Sequence, residues 1–182
     1  MRFGDFHVIL LDERTDFYFY GAKMSDLEVC TENGVAILTM NRPDARNALS
    51  MDMRKLLCEA LHEVELDSAV RCVVLKGEGD HFMAGGDVKG MGESIKKSPK
   101  EIRKEFMLRI HDLHPIMFAM RRMPKPIIAS CRGAAAGAGV SIALACDLVI
   151  ASEDAFFTLA YCKIGTSPDG SSSFHLPRAV GI

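Results

Sequence analysis

Gly133–Val140 (GAAAGAGV) and Phe82–Lys89 (FMAGGDVK) are the two segments on which the interpretation of this sequence depends. Each follows a short apolar run typical of a buried strand, Pro126–Ala129 in the first case and Cys72–Leu75 in the second. Glycine and alanine at this density let backbone N–H groups approach a ligand that larger side chains would hold away. Close packing alone would account for one such segment, but two at strand exits favour backbone recognition of a ligand.

The first half of the chain predicts a hairpin followed by a helix. Two β-prone runs, Leu27–Thr31 and Val35–Met40, flank Glu32-Asn33-Gly34, and Asn-Gly is the strongest short-range hairpin signal. Ser50 is a plausible N-cap. The helix that follows has apolar positions at helical spacing, namely Met53, Leu57, Ala60, Leu61 and Val64.

The second half predicts helices that alternate with strands. One helix carries apolar residues on a single face, and Pro115 inside it should kink or split it. These residues are Phe106, Ile110, Leu113, Met117 and Met120. A helix of small residues is predicted to start within Gly133–Gly139, and Asp147–Ile150 is a further strand. This β, α, β, α, β order with short connections predicts an α/β domain with parallel strands and helical crossovers.

Composition and charge exclude several classes of protein. Of 182 residues, 48% are hydrophobic and 25% charged, which is usual for one packed globular domain and not for a disordered or fibrous chain. The net charge of −2 argues against a nucleic-acid partner. One basic run is either a solvated helix face or a patch for the phosphates of a nucleotide-bearing substrate. It consists of Lys96, Lys97, Lys100, Arg103 and Lys104.

The sequence carries no strong signal for a redox or metal site, a membrane helix or a nucleotide-binding loop. The six cysteines form no CxxC pair, so we expect buried thiols in a cytoplasmic protein. His111 and His114 at a spacing of three are not expected to bind a metal, and no run approaches the about 18 apolar residues of a membrane helix. Neither glycine-rich segment has the GxxxxGK[ST] order of a phosphate loop, and Gly77-Glu78-Gly79-Asp80 does not complete GxGxxG.

Four ordered segments together resemble the crotonase (enoyl-CoA hydratase/isomerase) superfamily over residues 24–182. They are Asn41-Arg42-Pro43 with Asn47-Ala48-Leu49, then Ala84–Lys89, then Gly133–Gly139, then Cys146–Ala151. The resemblance implies a spiral of ββα units that stops before the family's C-terminal helical region. Residues 1–23 show no sustained periodicity and are interpreted as an N-terminal extension outside the family core, with Met24 as an alternative start.

The resemblance also implies an oxyanion hole for the thioester carbonyl of an acyl-CoA. Its donors would be the backbone N–H groups of Gly86 and Ala138, the latter at the start of a helix. Substrate contacts are implied for Ala84, Asp87, Val88 and Tyr161 as well, and Lys89 and Arg46 either meet coenzyme A or are simply solvated. Coenzyme A would be part of the substrate, with no separate cofactor.

The reaction is less clearly implied than the fold. Hydratases of the superfamily usually carry two glutamates at the positions of Ser141 and Tyr161, neither of which is a carboxylate here. Asp169 falls where some double-bond isomerases of the family place an acidic residue, and a carboxylate there could move a proton between two carbons. Asp169 also suits a turn, since it lies between Pro168 and Gly170. We favour an isomerase.

Three other readings stay open beside the isomerase. Hydration is one of them. In the dehalogenase branch, a histidine at the His114 position activates water and an aspartate at the Asp169 position attacks covalently, although that branch has tryptophan where this chain has Tyr161. His114 could also be structural, and the chain could be a non-catalytic acyl-CoA-binding remnant.

The resemblance implies a homo-oligomer, a trimer or a dimer of trimers, where the C-terminal region is present, and no nucleic-acid or membrane partner.

Overall fold

The computed structural model describes residues 25–92 and 96–181 as a mixed α/β fold with two sheets. The strands are β1 (Leu27–Glu32), β2 (Val35–Met40), β3 (Cys72–Gly77), β4 (Ile127–Cys131), β5 (Ala134–Ala136), β6 (Leu148–Ala151) and β7 (Phe156–Thr158). The helices are α1 (Met51–Leu66), α2 (Val88–Gly92), α3 (Pro99–Arg122), α4 (Ala138–Ala145) and α5 (Ser172–Val180). The interpretation of residues 1–23 as an extension, and of Met24 as a start, falls on residues outside those described.

The main sheet has five strands in the order β1-β2-β3-β4-β6. The β1–β2 hairpin is antiparallel and turns at Asn33 and Gly34, both of which have positive φ angles, as this two-residue turn requires. The other three pairings are parallel. Helices α1, α3 and α4 lie in the connections between these parallel strands, so the predicted hairpin and helical crossovers are confirmed.

Helix α1 forms where the sequence predicts it. The Ser50 hydroxyl accepts a hydrogen bond from the Met53 N–H (3.0 Å), which satisfies one of the free donors of the first turn. All five of its predicted apolar positions are buried. They share one core with the inward residues of the sheet and of α3, such as Leu38, Val73 and Ile116.

Helix α3 is continuous from Pro99 to Arg122, so of the two effects expected of Pro115 a split is wrong, and a kink stays a prediction. A proline inside a helix costs about 3 kcal/mol because it removes one hydrogen bond and crowds the preceding turn. The residues around Pro115 outweigh that cost by packing into the core, where Leu113, Ile116 and Met117 are almost fully buried. A capping box of Ser98 and Glu101 fixes the other end of the helix.

The small-residue segment after β4 differs in part from the prediction. Its first half is strand β5, which pairs in parallel with β7 in a separate two-stranded sheet, and α4 begins only at Ala138. Gly137 precedes the helix with a positive φ of 51°. The strand forms because Phe156–Thr158 offers a backbone edge that the sequence of residues 133–139 does not reveal.

The cysteine prediction holds only in part, because Cys131 and Cys146 are buried but Cys30 and Cys162 are exposed.

All five members of the basic run around the start of α3 are exposed, as expected for a solvated face, and Lys97 pairs with Glu105. Among the described residues, no helix is long and apolar enough to cross a membrane.

Candidate active site

The two glycine- and alanine-rich segments are hydrogen-bonded neighbours. The Met83 N–H donates to the Ala134 carbonyl (3.0 Å), and the Ala136 N–H donates to the Met83 carbonyl (2.8 Å). A Cβ on Gly85 would lie 2.8 Å from the Ala136 carbonyl oxygen and 3.5 Å from the Ala138 nitrogen. Glycine at position 85 is therefore what lets the first segment come this close to the start of α4.

These segments form one wall of a pocket of about 640 Å³. The segments contribute Ala84, Gly85, Gly86, Val88, Gly137 and Ala138. Helices α1 and α3 contribute Arg54, Phe106, Arg109, Ile110 and His114. The remaining wall is the stretch from Ala160 to Ser171, which includes Tyr161 and Asp169. Residues far apart in the sequence thus meet around one cavity of a size suited to a small ligand.

The Gly86 and Ala138 amides have no competing partners. Within residues 25–92 and 96–181, neither N–H donates a hydrogen bond to another backbone or side-chain group. Ala138 is the first residue of α4, where N–H groups have no acceptor within the helix and the helix dipole favours negative charge. Both amides are available to a ligand oxygen, which is the chemistry an oxyanion hole needs.

A hydrogen-bonded chain of Ser141, Tyr161 and Asp169 lies at the side of the pocket. The Tyr161 hydroxyl donates to Asp169 Oδ1 (2.7 Å) and lies 3.0 Å from Ser141 Oγ. Because the Tyr161 proton goes to Asp169 and Ser141 has one proton of its own, the Ser141 hydroxyl donates either to the Tyr161 oxygen or to the Asp169 carbonyl. The Asp169 carbonyl is approached by the Ser141 and Ser172 hydroxyls at 2.9 and 3.1 Å. Asp169 is therefore oriented by its neighbours on both its main chain and its side chain.

Tyr161 stays a neutral donor over the working range of pH. Burial raises the pKa of its phenol to about 12; the hydrogen bond with Ser141 acts in the opposite direction, and Asp169 raises it further. Tyr161 and Ser141 occupy the two positions where the resemblance places hydratase glutamates, and here they contact each other. Ser141 is fully buried, and a Cβ on Gly170 would lie only 2.7 Å from the Ser141 Cβ.

Arg54 is a pocket residue that sequence reasoning missed. It is only 4% exposed, and its Nη1 donates to the Arg109 carbonyl on α3. Burial lowers the pKa of the guanidinium, while the charge of Asp169 raises it. A signal was present in the sequence, since position 54 precedes Leu57 by three and Leu61 by seven residues and so falls on the buried face of α1.

Some predicted substrate contacts do not meet the pocket. Asp87 forms an ion pair with Arg42 (3.1 Å) instead, and Arg42 also lies 3.4 Å from a carboxylate oxygen of Asp26. Lys89 and Arg46 are exposed and lie outside the pocket wall. The Arg46 carbonyl does accept a hydrogen bond from the Ala84 N–H (2.9 Å), so its backbone supports the first segment. Ala84, Gly86, Val88, Ala138 and Tyr161 line the pocket, and their contacts with a substrate stay a prediction.

His114 lies at the pocket but not in the core. Its side chain is exposed, and its ring centroid is 6.2 Å from that of Phe118 and 6.4 Å from that of His111. No set of three His, Cys, Asp or Glu side chains suited to a metal ion occurs in the part of the chain that the structure describes. His114 lines the pocket, and both its catalytic role and its structural role stay predictions.

Comparisons with known proteins identify the family of the chain. Residues 30–182 match the family model described as enoyl-CoA hydratase/isomerase. The chain is 38% identical over 160 residues to 4-chlorobenzoyl coenzyme A dehalogenase-2 of Arthrobacter sp, and 36% identical over 151 residues to 1,2-epoxyphenylacetyl-CoA isomerase of Escherichia coli K12. These alignments cover 86% and 82% of this chain and 56% of each relative.

A solved structure shares the fold. The crystal structure of an enoyl-CoA hydratase from Polaromonas sp. JS666 superposes with a TM-score of 0.77 at 39% identity, covering 85% of this chain and 58% of that one. The chain spans little more than half the length of the curated relatives it matches. Its sequence, its crotonase fold and its paired glycine-rich segments place it within one family. The chain belongs to the enoyl-CoA hydratase/isomerase family.

Proposed function

We propose that the chain carries the catalytic core of an acyl-CoA enzyme that moves a double bond along an enoyl thioester. In this proposal the Gly86 and Ala138 amides hold the thioester oxygen, and Asp169 carries the proton. Coenzyme A enters only as part of the substrate. The family supports acyl-CoA chemistry in general, and the choice of isomerisation rests on the residues around Asp169.

The proposed steps conserve all atoms. The Asp169 carboxylate takes a proton from C2 of a 3-enoyl thioester, and the electron pair moves onto the thioester oxygen to give a dienolate. Two fixed N–H donors stabilise that charge more strongly in the transition state than in the ground state, an effect worth about 3 kcal/mol per donor in other enzymes. Asp169 then returns the proton to C4, which leaves the double bond between C2 and C3.

The observation that carries the proposal is the 2.7 Å hydrogen bond from Tyr161 to Asp169 beside the pocket. This bond holds the Asp169 carboxylate in a fixed orientation at the pocket wall. Because Ser141 and Tyr161 contact each other and Asp169, they form a support for one carboxylate. Hydration would need groups that position and deprotonate water, and neither Ser141 nor Tyr161 supplies a second carboxylate for that task.

The test replaces the base and keeps its shape. We expect Asp169→Asn to bind an acyl-CoA with nearly unchanged affinity in calorimetry, and to lose at least about 100-fold in conversion of 3-hexenoyl-CoA to 2-hexenoyl-CoA. Asp52→Asn is the matched control, since Asp52 is exposed in the first turn of α1 and outside the pocket. An Asp169→Asn variant that isomerises at the parental rate would reduce Asp169 to a turn residue.

A second candidate is hydrolytic substitution on an aryl-CoA, because His114 and Asp169 line one pocket. Here the Asp169 carboxylate would displace halide from the ring, and a water activated by His114 would then hydrolyse the ester. Release of halide from 4-chlorobenzoyl-CoA, with no isomerase activity, would favour this candidate. Hydration of 2-hexenoyl-CoA would favour a hydratase, and binding without any conversion would indicate a binding remnant.

A further inference from the structure

Arg54 brings a positive charge into the pocket that the protein itself does not neutralise at close range. Within residues 25–92 and 96–181, no carboxylate lies within ion-pair distance of its guanidinium, and the Nε atom has no hydrogen-bond partner. An arginine cannot shed its proton in a protein, and a buried ion costs several kcal/mol unless it is compensated. A ligand that accepts hydrogen bonds from the Arg54 guanidinium would offset this free-energy cost.

The charges around Arg54 are of both signs. Arg109 is a second cation in the pocket wall, and its charge acts against that of Arg54. Asp169 and Asp112 act favourably on Arg54, but the Oδ1 atom of Asp169 already accepts the Tyr161 hydroxyl. Two arginines and one aspartate thus line the pocket, so the side formed by α1 and α3 favours an anion or a strong hydrogen-bond acceptor.

A plain hydrocarbon chain would gain no hydrogen bond from Arg54. Phe106, Ile110 and Ile164 provide apolar contacts in the same pocket, so the cavity suits an acyl group that is partly apolar. Bringing such a chain against Arg54 would strip water from the cation and return no hydrogen bond. A carboxylate or carbonyl oxygen at the far part of the acyl group would instead form a charge-assisted hydrogen bond with it.

We infer that the pocket selects acyl-CoA thioesters whose acyl group carries a carboxylate remote from the thioester, and that Arg54 is the residue that determines this specificity. The inference rests on the proposed acyl-CoA function and names the substrate class for the same site. In this inference the Arg54 guanidinium binds the remote carboxylate, Arg109 adds a second positive charge to the same pocket, and the Gly86 and Ala138 amides hold the thioester oxygen.

The test compares two thioesters with acyl chains of six carbons. Adipoyl-CoA carries a terminal carboxylate and hexanoyl-CoA does not, so calorimetry of each on the full chain isolates the contribution of that group. We expect the parent protein to bind adipoyl-CoA at least about tenfold more tightly. Equal affinities, or a preference for hexanoyl-CoA, would overturn the inference. Failure to bind either thioester would instead overturn the proposed acyl-CoA function.

Variants at position 54 assign the preference to one residue. Arg54→Met keeps much of the volume without the charge and should bind both thioesters equally, whereas Arg54→Lys keeps the charge and should retain part of the preference. Lys55→Met is the matched control, because Lys55 is the neighbouring cation and its side chain is 76% exposed. A preference that survives in Arg54→Met would overturn the role of Arg54. If Arg54→Met does not fold, Arg54→Gln takes its place, and a preference for adipoyl-CoA that survives in Arg54→Gln would overturn that role.

Discussion

Asp169 shows how a turn residue becomes a candidate base. In the sequence it lies between Pro168 and Gly170, as a solvated turn aspartate would. In the fold, Gly170 has a positive φ of 55° and packs against Ser141, which brings Asp169 beside Tyr161. Tyr161 then donates to the carboxylate from inside the protein. What distinguishes a candidate base from a solvated turn aspartate at position 169 is therefore the hydrogen bond from the Tyr161 hydroxyl, eight residues earlier in the sequence.

Removing the Tyr161 hydroxyl should weaken both stability and catalysis. Tyr161→Phe leaves the Oδ1 atom of Asp169 and the Ser141 hydroxyl each without one partner, so we expect a loss of about 1–3 kcal/mol in the free energy of unfolding at pH 8. We also expect a fall of kcat with KM little changed, because Asp169 loses its orientation. Urea denaturation and 3-hexenoyl-CoA kinetics measure the two effects.

The pH dependence of this stability difference has a defined sign. Since the pKa of Tyr161 is raised to about 12 in the folded chain, above its ordinary value near 10, the phenol's contribution is fully present below about pH 10. It is lost as pH rises through about 12. The difference between the parent and Tyr161→Phe should therefore shrink between pH 9 and pH 11.5. A difference that stays constant over this range would contradict the buried position of the hydroxyl.

The paired glycine-rich segments act as one element, although they are about 50 residues apart. Met83 and Ala135 form an isolated parallel bridge, and Leu49 and Gly86 form another. The first segment is thus held between the loop before α1 and strand β5. These contacts fix the backbone of Gly86 relative to the start of α4 without any help from side chains, so small residues are needed there.

A methyl group at Gly85 should disrupt this element. Gly85 has a φ of +94°, and its Cβ would approach the Ala136 carbonyl oxygen to 2.8 Å, so Gly85→Ala is expected to lower the free energy of unfolding by about 1–3 kcal/mol. It should also lower acyl-CoA turnover more than tenfold. Gly92→Ala is the control, because nothing lies within 4 Å of its Cβ position. A Gly85→Ala protein as stable as Gly92→Ala would contradict the close approach.

The molecule as a whole exposes apolar residues at one edge of its main sheet. Strand β6 is the last strand in the order, and its apolar side chains are exposed, with Leu148 at 58% and Ile150 at 61%. Phe156 and Phe157 on β7 are exposed as well. Apolar sheet edges of this kind pair with other chains or mark interaction surfaces. The predicted homo-oligomer remains a prediction, and this edge is where we expect association.

Self-association through β6 can be tested by introducing charged side chains into this strand. Sedimentation of the parent chain at increasing concentration should show species larger than a monomer, and Leu148→Lys with Ile150→Lys should shift the distribution to monomer. The melting temperature should change little, because neither side chain is part of the core. A parent chain that remains monomeric at high concentration would contradict an association surface at this edge.

The sequence by itself determined those features of the protein that depend on interactions between residues close together in the chain. Asn33-Gly34 specifies the hairpin turn, Ser50 specifies the start of α1, and the order of the glycine-rich segments specifies the family. Each of these signals is read from residues within one turn or one segment, where local propensity and hydrogen bonding decide the outcome.

Only the tertiary structure decided the rest. Ala134–Ala136 is a strand because β7 lies beside it, and α3 passes through Pro115 because core packing outweighs the local cost. Arg54 faces the pocket because α1 packs on α3, and Asp169 meets Ser141 across 28 residues of sequence. These outcomes depend on contacts between distant residues, and the free energy of such contacts exists only once the chain has folded around them.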